Sequence, residues 1–454
     1  MNLHSLLAKR AAEGRPLRVG LIGAGKFGAM YLSQARRTVG IHIVAVADRS
    51  MVRAEDALKR TGWAPQRYAA RSFEDASRHA TTFLTDDVPA LIRSPFIDIV
   101  IDATGHSAAG IEHVLACCEH QKHIVMVNVE ADALAGPLLA RRAAEAGIVY
   151  SLAYGDQPAL ICELVDWART AGLDVVAAGK GTKYLPAYHA STPDTVWTHY
   201  GFTAEMVANG DFNAQMFNSF LDGTKSAIEM AAVANATGLS PAPQGLGFPP
   251  CGVDDLAQML RPADEGGTLH HRGQVEVVSS VHRDGSAVTR DLRWGVYVCF
   301  AGDTAYVQKC FKEYGLVTDE SGLYCAMYKP FHLIGLELGI SVASVGLRAE
   351  PTGVPRAFVA DVVATAKRDL SPGEILDGEG GYTVYGRLMP ADDSLAWNGL
   401  PLGLTQGLKL LRAVPSGAFL RWSDVAFDPV DTAIAFRKEM EKQGTSGGVT
   451  TSLS

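Results

Sequence analysis

The sequence lacks the patterns that mark several common classes of protein. Its 454 residues include seven cysteines and no C-x-x-C pair, so neither a disulfide framework nor a structural zinc site is expected. No apolar run approaches the roughly 18 residues that span a bilayer, and residues 1–18 do not resemble a signal peptide. The net charge of −8 gives no electrostatic reason to bind nucleic acid or an anionic membrane. We therefore expect a cytoplasmic protein that acts on a small molecule.

The N-terminal part of the chain alternates short apolar runs with helical patterns. Runs without polar alternation are typical of strands that are buried on both faces of a parallel sheet. The pattern predicts an α/β protein whose residues 15–155 form a Rossmann domain with a doubly wound parallel sheet. Five strands are predicted: Arg18–Gly23, Ile41–Asp48, Ile97–Ala103, His123–Asn128 and Val149–Tyr154.

The middle of the chain, residues 156–350, mixes helical and strand patterns, which predicts a mixed α/β substrate domain that would contain the catalytic residues. Its main feature is one long helix, Ser219–Thr237. Two strand-like runs, Val275–Arg283 and Thr289–Phe300, flank an Asp-Gly turn, which predicts an antiparallel hairpin.

The C-terminal part predicts a small module and a tail. Residues 356–430 hold short strand patterns separated by turn signals, which indicates a small all-β domain. Residues 441–454 are rich in glycine, serine and threonine, a composition that predicts a disordered tail.

A glycine motif after the first strand is typical of a dinucleotide site. Gly23, Gly25 and Gly28 have the G-x-G-x-x-G spacing between a strand and a helix. The first glycine allows the tight turn, the second lets the backbone approach the pyrophosphate, and the third lets the helix pack on the strand. Lys26 and Phe27 lie within the motif and are candidate cofactor contacts. A glycine-rich turn without a cofactor is the alternative.

The choice between NAD and NADP stays open at this point. Asp48 ends the second strand, 20 residues after Gly28, and would bond the ribose 2′-hydroxyl of NAD. Arg49 could instead meet the 2′-phosphate of NADP. Thr104 and Gly105 follow the next parallel strand, where the loop would border the nicotinamide.

Two carboxylates follow later strands of the predicted sheet. Glu130 comes shortly after the predicted strand His123–Asn128 and is a candidate substrate contact. Asp156 stands where a strand leads into a helix, at the edge where doubly wound sheets bind ligands. It is a candidate catalytic residue, and an N-cap of the following helix is the alternative.

A basic, glycine-rich stretch follows the next strand. Lys180 and Lys183 lie in this turn, and His189 comes shortly after them. Two lysines at a strand end suit an anionic substrate, such as a phosphate or a carboxylate. We therefore expect substrate contacts here, with Lys183 also a catalytic candidate. A solvated basic loop is the alternative.

The long helix carries three charged residues in a strongly apolar stretch. Asp222, Lys225 and Glu229 would share one helix face, and charges on a buried helix are costly unless they are paired or functional. They are catalytic candidates, and a structural ion pair is the alternative.

These stretches resemble known oxidoreductases. Gly181–Leu185 is similar to the N-G-T-x-N-Y motif of the homoserine dehydrogenase family, and Asp222–Lys225 resembles the helix that carries its catalytic Asp and Lys. The spacing of that pair is four in the family and three here. Asp361–Leu376 and Leu411–Val425 resemble the opening and close of an SAF domain, a β-clip module.

The combination of these parts resembles the deoxyxylulose phosphate reductoisomerase-like enzymes of some bacteria. The resemblance implies NADP, with NAD as the alternative, and a homodimer that acts on a small phosphorylated anion in isoprenoid biosynthesis. It implies that Lys225 donates a proton to the oxygen that hydride reduction leaves negative. The chemistry also suggests Mg²⁺ or Mn²⁺, with ligands unknown. A semialdehyde or sugar-acid dehydrogenase and a non-catalytic NAD(P) sensor are the alternatives.

Overall fold

The computed structural model describes residues 2–209 and 212–444, and the chain divides into two compact units. The first comprises Met1–Leu160 and His332–Pro355, and the second comprises Ile161–Phe331 and Arg356–Ser454. The predicted division into three domains and a tail stays a prediction. Residues 441–443 of the predicted tail lie in a helix, and residues 445–454 lie outside the described residues.

Regular structure covers most of the described chain. The strands are β1 Leu17–Ile22, β2 Ile41–Ala47, β3 Phe83–Thr85, β4 Ile99–Asp102, β5 His123–Met126, β6 Tyr150–Leu152, β7 Asp174–Thr182, β8 Gln274–Ser279, β9 Val296–Ala301, β10 Tyr324–Lys329, β11 Ala360–Ala366, β12 Val384–Pro390, β13 Lys409–Leu410 and β14 Val425–Ala426. The α-helices are α1 Leu3–Ala12, α2 Lys26–Ala35, α3 Met51–Arg60, α4 Phe73–His79, α5 Val88–Arg93, α6 Ser107–Glu119, α7 Val129–Glu145, α8 Gln157–Thr170, α9 Val196–Tyr200, α10 Ala204–Asn209, α11 Ala214–Leu221, α12 Thr224–Thr237, α13 Leu256–Met259, α14 Ala305–Glu313, α15 Gly339–Arg348, α16 Ala391–Trp397 and α17 Thr432–Gln443.

The first unit contains the predicted Rossmann sheet. Its six strands are parallel in the order β3-β2-β1-β4-β5-β6, the arrangement of doubly wound dinucleotide-binding domains. The strands are buried because helices cover both faces, as their uninterrupted apolar runs indicated. Strand β3 was not predicted, since three residues are too short to show a period. The predicted α/β fold class is confirmed.

Helix α15 belongs to this unit although it lies near the end of the middle part of the chain. Val342, Ala343 and Val345 are buried in the same apolar core as Val19 and Leu21 of β1. The helix therefore completes the apolar core of the first unit by packing with residues of the N-terminal strands.

The second unit contains a mixed sheet in the order β10-β9-β7-β8. Strand β7 pairs parallel with β8 and antiparallel with β9. The predicted hairpin between residues 275 and 300 is therefore wrong, because β7 lies between its two strands. The Asp-Gly turn does form locally, with Val281 and Ala287 in an antiparallel bridge.

The predicted long helix is interrupted. Helix α11 ends at Leu221, Asp222 is its C-cap, and Gly223 has a φ of +92°, a left-handed conformation that favours glycine. Helix α12 then begins at Thr224. Asp222 is thus on the turn between two helices and does not share a helix with Lys225 and Glu229.

The C-terminal residues of the second unit form short antiparallel pairs, β11 with β12 and β13 with β14. They also contain α16 and α17, and α17 is held by Arg437, which is fully buried and bonds Asp361 and Glu441. Within residues 2–209 and 212–444, no helix combines the length and apolar character that crossing a membrane requires.

Candidate functional sites

The glycine turn in the first unit has the geometry of a pyrophosphate cradle. Gly23 follows β1 with a φ of +97°. A Cβ at Gly28 would lie 2.1 Å from the carbonyl oxygen of Gly23, whereas a Cβ at Gly25 would meet no atom within 4 Å. The backbone at Gly25 is thus open, and the N–H groups of the first turn of α2 are suited to an anion. Lys26 and Phe27 are the first two residues of that turn.

Asp48 directly follows β2, and its carboxylate is hydrogen-bonded to the glycine turn and to the residues that follow it. Its Oδ2 accepts from the N–H of Ala24 at 2.8 Å. Its Oδ1 accepts from the N–H of Ser50 at 2.8 Å and from Nη2 of Arg53 at 2.7 Å. Burial alone would raise the pKa of Asp48, but these hydrogen bonds outweigh it and hold the pKa below its ordinary value. The carboxylate is therefore ionised and ties the glycine turn to the start of α3, while Arg49 is exposed.

A buried polar network fixes the loop that contains Thr104 and Gly105. Asp102, at the end of β4, is fully buried. It accepts from the backbone and hydroxyl of Thr104 at 2.9 and 2.7 Å and from Nδ1 of His113 at 3.1 Å. Asn128 donates to Asp102 and to the Thr104 hydroxyl. This network holds the loop at the carboxyl edge of the sheet, where a Rossmann fold binds its cofactor.

The two other candidates of this unit occupy helix starts. Glu130 is partly exposed in the first turn of α7. Asp156 is 4% exposed and accepts from the N–H of Gln157 at 2.9 Å. Asp156 therefore lies immediately before α8, which begins at Gln157.

In the second unit, the structure joins Lys180 of β7 to Glu229 of α12. Both side chains are almost fully buried, and Nζ of Lys180 donates to Glu229. A buried pair of this kind is stable only while both partners are present. Lys225, one turn before Glu229, is 8% exposed, so a charged group is placed where little water reaches it.

Asp222 has a cation that sequence reasoning missed. Nζ of Lys367, just after β11, lies 2.7 Å from Oδ2 of Asp222. It also donates to the carbonyl oxygens of Ser191 and Gly381 at 2.8 and 2.7 Å. Burial raises the pKa of Asp222, and Lys367 opposes this effect only in part. The sequence pattern had instead grouped Asp222 with Lys225 and Glu229 on one helix face.

Lys183 and His189 point to different groups. Nζ of Lys183 donates to the carbonyl oxygen of His199 at 2.7 Å, and burial together with Arg293 lowers its pKa. Nδ1 of His189 lies 2.7 Å from the carbonyl oxygen of Asp222, and its Nε2 lies 2.9 Å from the Tyr184 hydroxyl. These two candidates therefore do not form one anion site.

His189 has a defined tautomer. Burial lowers its pKa, so the ring is neutral near pH 7. Since a carbonyl oxygen can only accept, Nδ1 carries the proton and donates to Asp222, and Nε2 accepts from the Tyr184 hydroxyl. The result is a chain of hydrogen bonds from Tyr184 to the turn that separates α11 from α12.

Sequence reasoning also missed Arg53 and Glu276. Arg53 follows Asp48 by five residues. The only feature of the sequence that could have indicated this contact is that a helix begins shortly after the acidic residue at the end of the strand. Glu276 of β8 is buried, and burial raises its pKa to about 7, although backbone N–H groups of Gly247, Phe248 and Val277 bond it. Nothing in an apolar strand pattern distinguishes such a residue in advance.

No metal site is evident in the part of the chain that the structure describes. There, no three His, Cys, Asp or Glu side chains are grouped as metal ligands would be. The suggestion of Mg²⁺ or Mn²⁺ therefore stays a prediction that rests on the chemistry of the implied reaction.

Two family models match the chain. Residues 19–151 match the homoserine dehydrogenase NAD-binding domain, and residues 155–338 match the catalytic domain of oxidoreductase DRL. These matches confirm the predicted resemblance, the NAD(P) cofactor and the oxidoreductase type of the domains. The resemblance of the C-terminal residues to an SAF domain stays a prediction.

Solved structures share parts of the fold at low identity. They include 1-deoxy-D-xylulose 5-phosphate reductoisomerase from Zymomonas mobilis (19% identity, TM-score 0.34, 48% of this chain and 58% of that chain). They also include myo-inositol dehydrogenase from Lactobacillus casei (18%, 0.29, 40% and 50%) and an oxidoreductase from Agrobacterium radiobacter (17%, 0.27, 37% and 44%). The chain spans about half the length of these structures. No curated protein is significantly similar to the chain in sequence.

Proposed function

We propose that the protein is an NADP-dependent reductoisomerase that converts 1-deoxy-D-xylulose 5-phosphate to 2-C-methyl-D-erythritol 4-phosphate. The observation that carries the proposal is the match of residues 155–338 to the DRL catalytic domain. That stretch contains the buried Lys180–Glu229 pair and the buried Lys225. Charged groups in so dry an environment stabilise a developing charge far better than groups in water.

The proposed reaction assigns one part to each unit. The first unit would bind NADPH, which supplies a hydride. The second unit would hold the phosphorylated ketose while its carbon skeleton rearranges to an aldehyde without a change of oxidation state. The hydride then reduces the aldehyde carbon, NADPH becomes NADP⁺, and the oxygen takes a proton. Lys225 would donate that proton.

The surroundings of Asp48 favour NADP over NAD in this proposal. Both oxygens of the carboxylate are bonded within the chain, so Asp48 is poorly suited to take a ribose 2′-hydroxyl as well. Arg53 and the exposed Arg49 place guanidinium groups beside it, and these match a 2′-phosphate. Titration with NADPH and NADH should therefore give the lower Kd for NADPH. A lower Kd for NADH would indicate that Asp48 binds the ribose 2′-hydroxyl of NAD.

The substrate test uses the purified full chain with NADPH, Mg²⁺ or Mn²⁺, and deoxyxylulose phosphate. We expect NADPH oxidation that depends on the ketose, and methylerythritol phosphate as the product identified by mass spectrometry. Product identification is needed because simple reduction of the ketone would also oxidise NADPH.

Other outcomes separate the alternatives. Turnover of semialdehydes or sugar acids, but not of deoxyxylulose phosphate, would support a dehydrogenase. Cofactor binding without turnover of any phosphorylated ketose or hydroxy acid would support a sensor. We also propose that the protein acts as a homodimer, and sedimentation of the purified chain tests this.

A further inference from the structure

The second unit contains a cavity beside α12. Its volume is about 270 Å³, and its walls include Tyr184, His189, Ala227, Phe248, Tyr385 and Arg387. Ligand pockets for drug-sized molecules are typically roughly 300–1,000 Å³. This cavity therefore suits a small ligand of about one ring and one polar group.

Four of the eleven residues that line the cavity are aromatic. Tyr184 and Phe248 are stacked with ring centroids 3.9 Å apart, and His189 and Tyr385 are stacked at 4.5 Å. Tyr184, Phe248 and Tyr385 are each less than a tenth exposed. The two stacks meet edge to face, with the ring centroids of Tyr184 and His189 5.3 Å apart, so together they form one aromatic wall. An aromatic ligand prefers offset or edge-on contacts with rings of this kind.

One positively charged side chain, that of Arg387, lines the cavity. Arg387 is half-buried there, and its position is held by two contacts. Its Nη2 donates to the carbonyl oxygen of Gln244 at 2.8 Å, and its Cζ lies 5.1 Å from the centroid of Phe419. A guanidinium has five N–H donors and matches a carboxylate with two parallel hydrogen bonds. His189 is neutral, so a singly charged anion matches the cavity better than a phosphate dianion.

The cavity is distinct from the catalytic candidates on α12. Ala227 lines the cavity, and it follows Lys225 by two residues. Because an α-helix turns about 100° per residue, Ala227 and Lys225 point to nearly opposite sides of α12. Glu229 lies on the same side as Lys225. A ligand in the cavity would therefore lie on the opposite side of α12 from Lys225 and Glu229.

We propose that this cavity binds a small aromatic carboxylate, with its ring against the wall that the two aromatic stacks form and its carboxylate on Arg387. The C-terminal module supplies Tyr385 and Arg387, so the site exists only when that module is folded onto α12. The site is independent of the proposed reductoisomerase activity, since deoxyxylulose phosphate has no ring.

The test compares three probes on the full chain by saturation-transfer NMR and calorimetry: benzoate, benzamide and cyclohexanecarboxylate. Benzoate should bind with a Kd of about 1 mM or lower, the range available to so small a ligand. Benzamide lacks the charge and cyclohexanecarboxylate lacks the aromatic ring, so each should bind about tenfold more weakly. Equal binding of all three probes, or no benzoate binding at about 10 mM, would overturn the proposal.

Two variants locate the site. Arg387→Gln should weaken benzoate binding about tenfold or more while leaving benzamide binding unchanged, because a charge-assisted bond is lost. Leu246→Trp should weaken both probes, because Leu246 lines the cavity and a larger side chain fills it. Lys409→Gln is the matched control, since it removes one positive charge of the same module from a residue that does not line the cavity. Unchanged benzoate binding by both test variants would place the binding elsewhere. The comparison of probes on the unmodified chain decides the question if a variant does not fold, and none of these results depends on turnover.

Discussion

Among single residues, Lys225 carries the sharpest catalytic prediction. It is 8% exposed on α12, where an ammonium group can donate a proton to a developing oxyanion in dry surroundings. Lys225→Met should therefore reduce kcat by about a hundredfold or more with NADPH affinity unchanged, because a positioned proton donor commonly contributes that much. Measuring kcat, NADPH affinity and melting temperature on the same variant tests this.

The control for this prediction is Lys183→Met. Lys183 is less buried and bonds the carbonyl oxygen of His199, so we expect a smaller loss of kcat. If folded Lys225→Met protein keeps a near-normal kcat, the catalytic assignment is wrong and Lys183 becomes the better candidate. A lower melting temperature with normal turnover would instead mean that Lys225 has a structural role.

Asp132 predicts a pH dependence of stability. It is fully buried in α7, its Oδ2 accepts from the Tyr150 hydroxyl at 2.8 Å, and its Oδ1 has no partner among the described residues. Burial raises its pKa from 3.8 to about 7. The folded chain therefore binds this proton more tightly than the unfolded chain. Between about pH 4 and pH 7 the unfolding free energy should fall as pH rises, by up to about 4 kcal/mol from this group.

The variant Asp132→Asn tests this, because it stays neutral and has nearly the shape of the protonated acid. Urea unfolding at several pH values should show that the stability of the native chain relative to Asp132→Asn falls across this window. The exposed Asp86 offers a control, since Asp86→Asn should leave a pH profile parallel to that of the native chain. A pH-independent difference between native and Asp132→Asn protein would mean that Asp132 is ionised throughout.

Among the elements, the turn between β1 and α2 contains one glycine that packing requires and another that only cofactor binding requires. Gly28→Ala places a Cβ 2.1 Å from the Gly23 carbonyl oxygen, so both melting temperature and NADPH affinity should fall. Gly25→Ala meets no atom within 4 Å but occupies the space that the pyrophosphate would take. We expect Gly25→Ala to keep the native melting temperature and to lose about tenfold or more in NADPH affinity. If Gly25→Ala keeps the native NADPH affinity, the pyrophosphate does not bind at this turn.

Within the second unit, Lys367 links the C-terminal module to the turn before α12. Lys367→Met leaves the fully buried Asp222 carboxylate without its ammonium partner, and breaking a buried ion pair typically costs about 3–5 kcal/mol. The free energy of unfolding should fall by that amount, and NADPH affinity should not change, since the first unit contains the dinucleotide turn. Urea unfolding and NADPH titration measure the two quantities.

The double variant Lys367→Met/Asp222→Asn should recover part of this loss, because the orphaned charge is then removed. Lys409→Met is the surface control and should change stability by less than about 0.5 kcal/mol. A loss of similar size in the single and the double variant would show that Lys367 acts through packing or through its bonds to Ser191 and Gly381.

The sequence by itself determined the features that local patterns specify. Uninterrupted apolar runs predicted the parallel sheet of the first unit, because strands buried on both faces show no polar alternation. The spacing of Gly23, Gly25 and Gly28 predicted the cofactor turn, because each glycine answers a steric demand within one βα unit. The sequence also predicted an oxidoreductase domain, because contiguous stretches of it resemble known motifs.

Only the tertiary structure decided which distant segments meet. The Asp-Gly turn after β8 formed as expected, yet its strands separated because β7 pairs with both of them. Gly223 broke a helix that apolar periodicity alone would have continued. The partner of Asp222 is Lys367, from another part of the chain, and the aromatic cavity joins that same part to α12. Ion pairs and cavity walls depend on how elements pack across long separations, and no local period in a sequence encodes that packing.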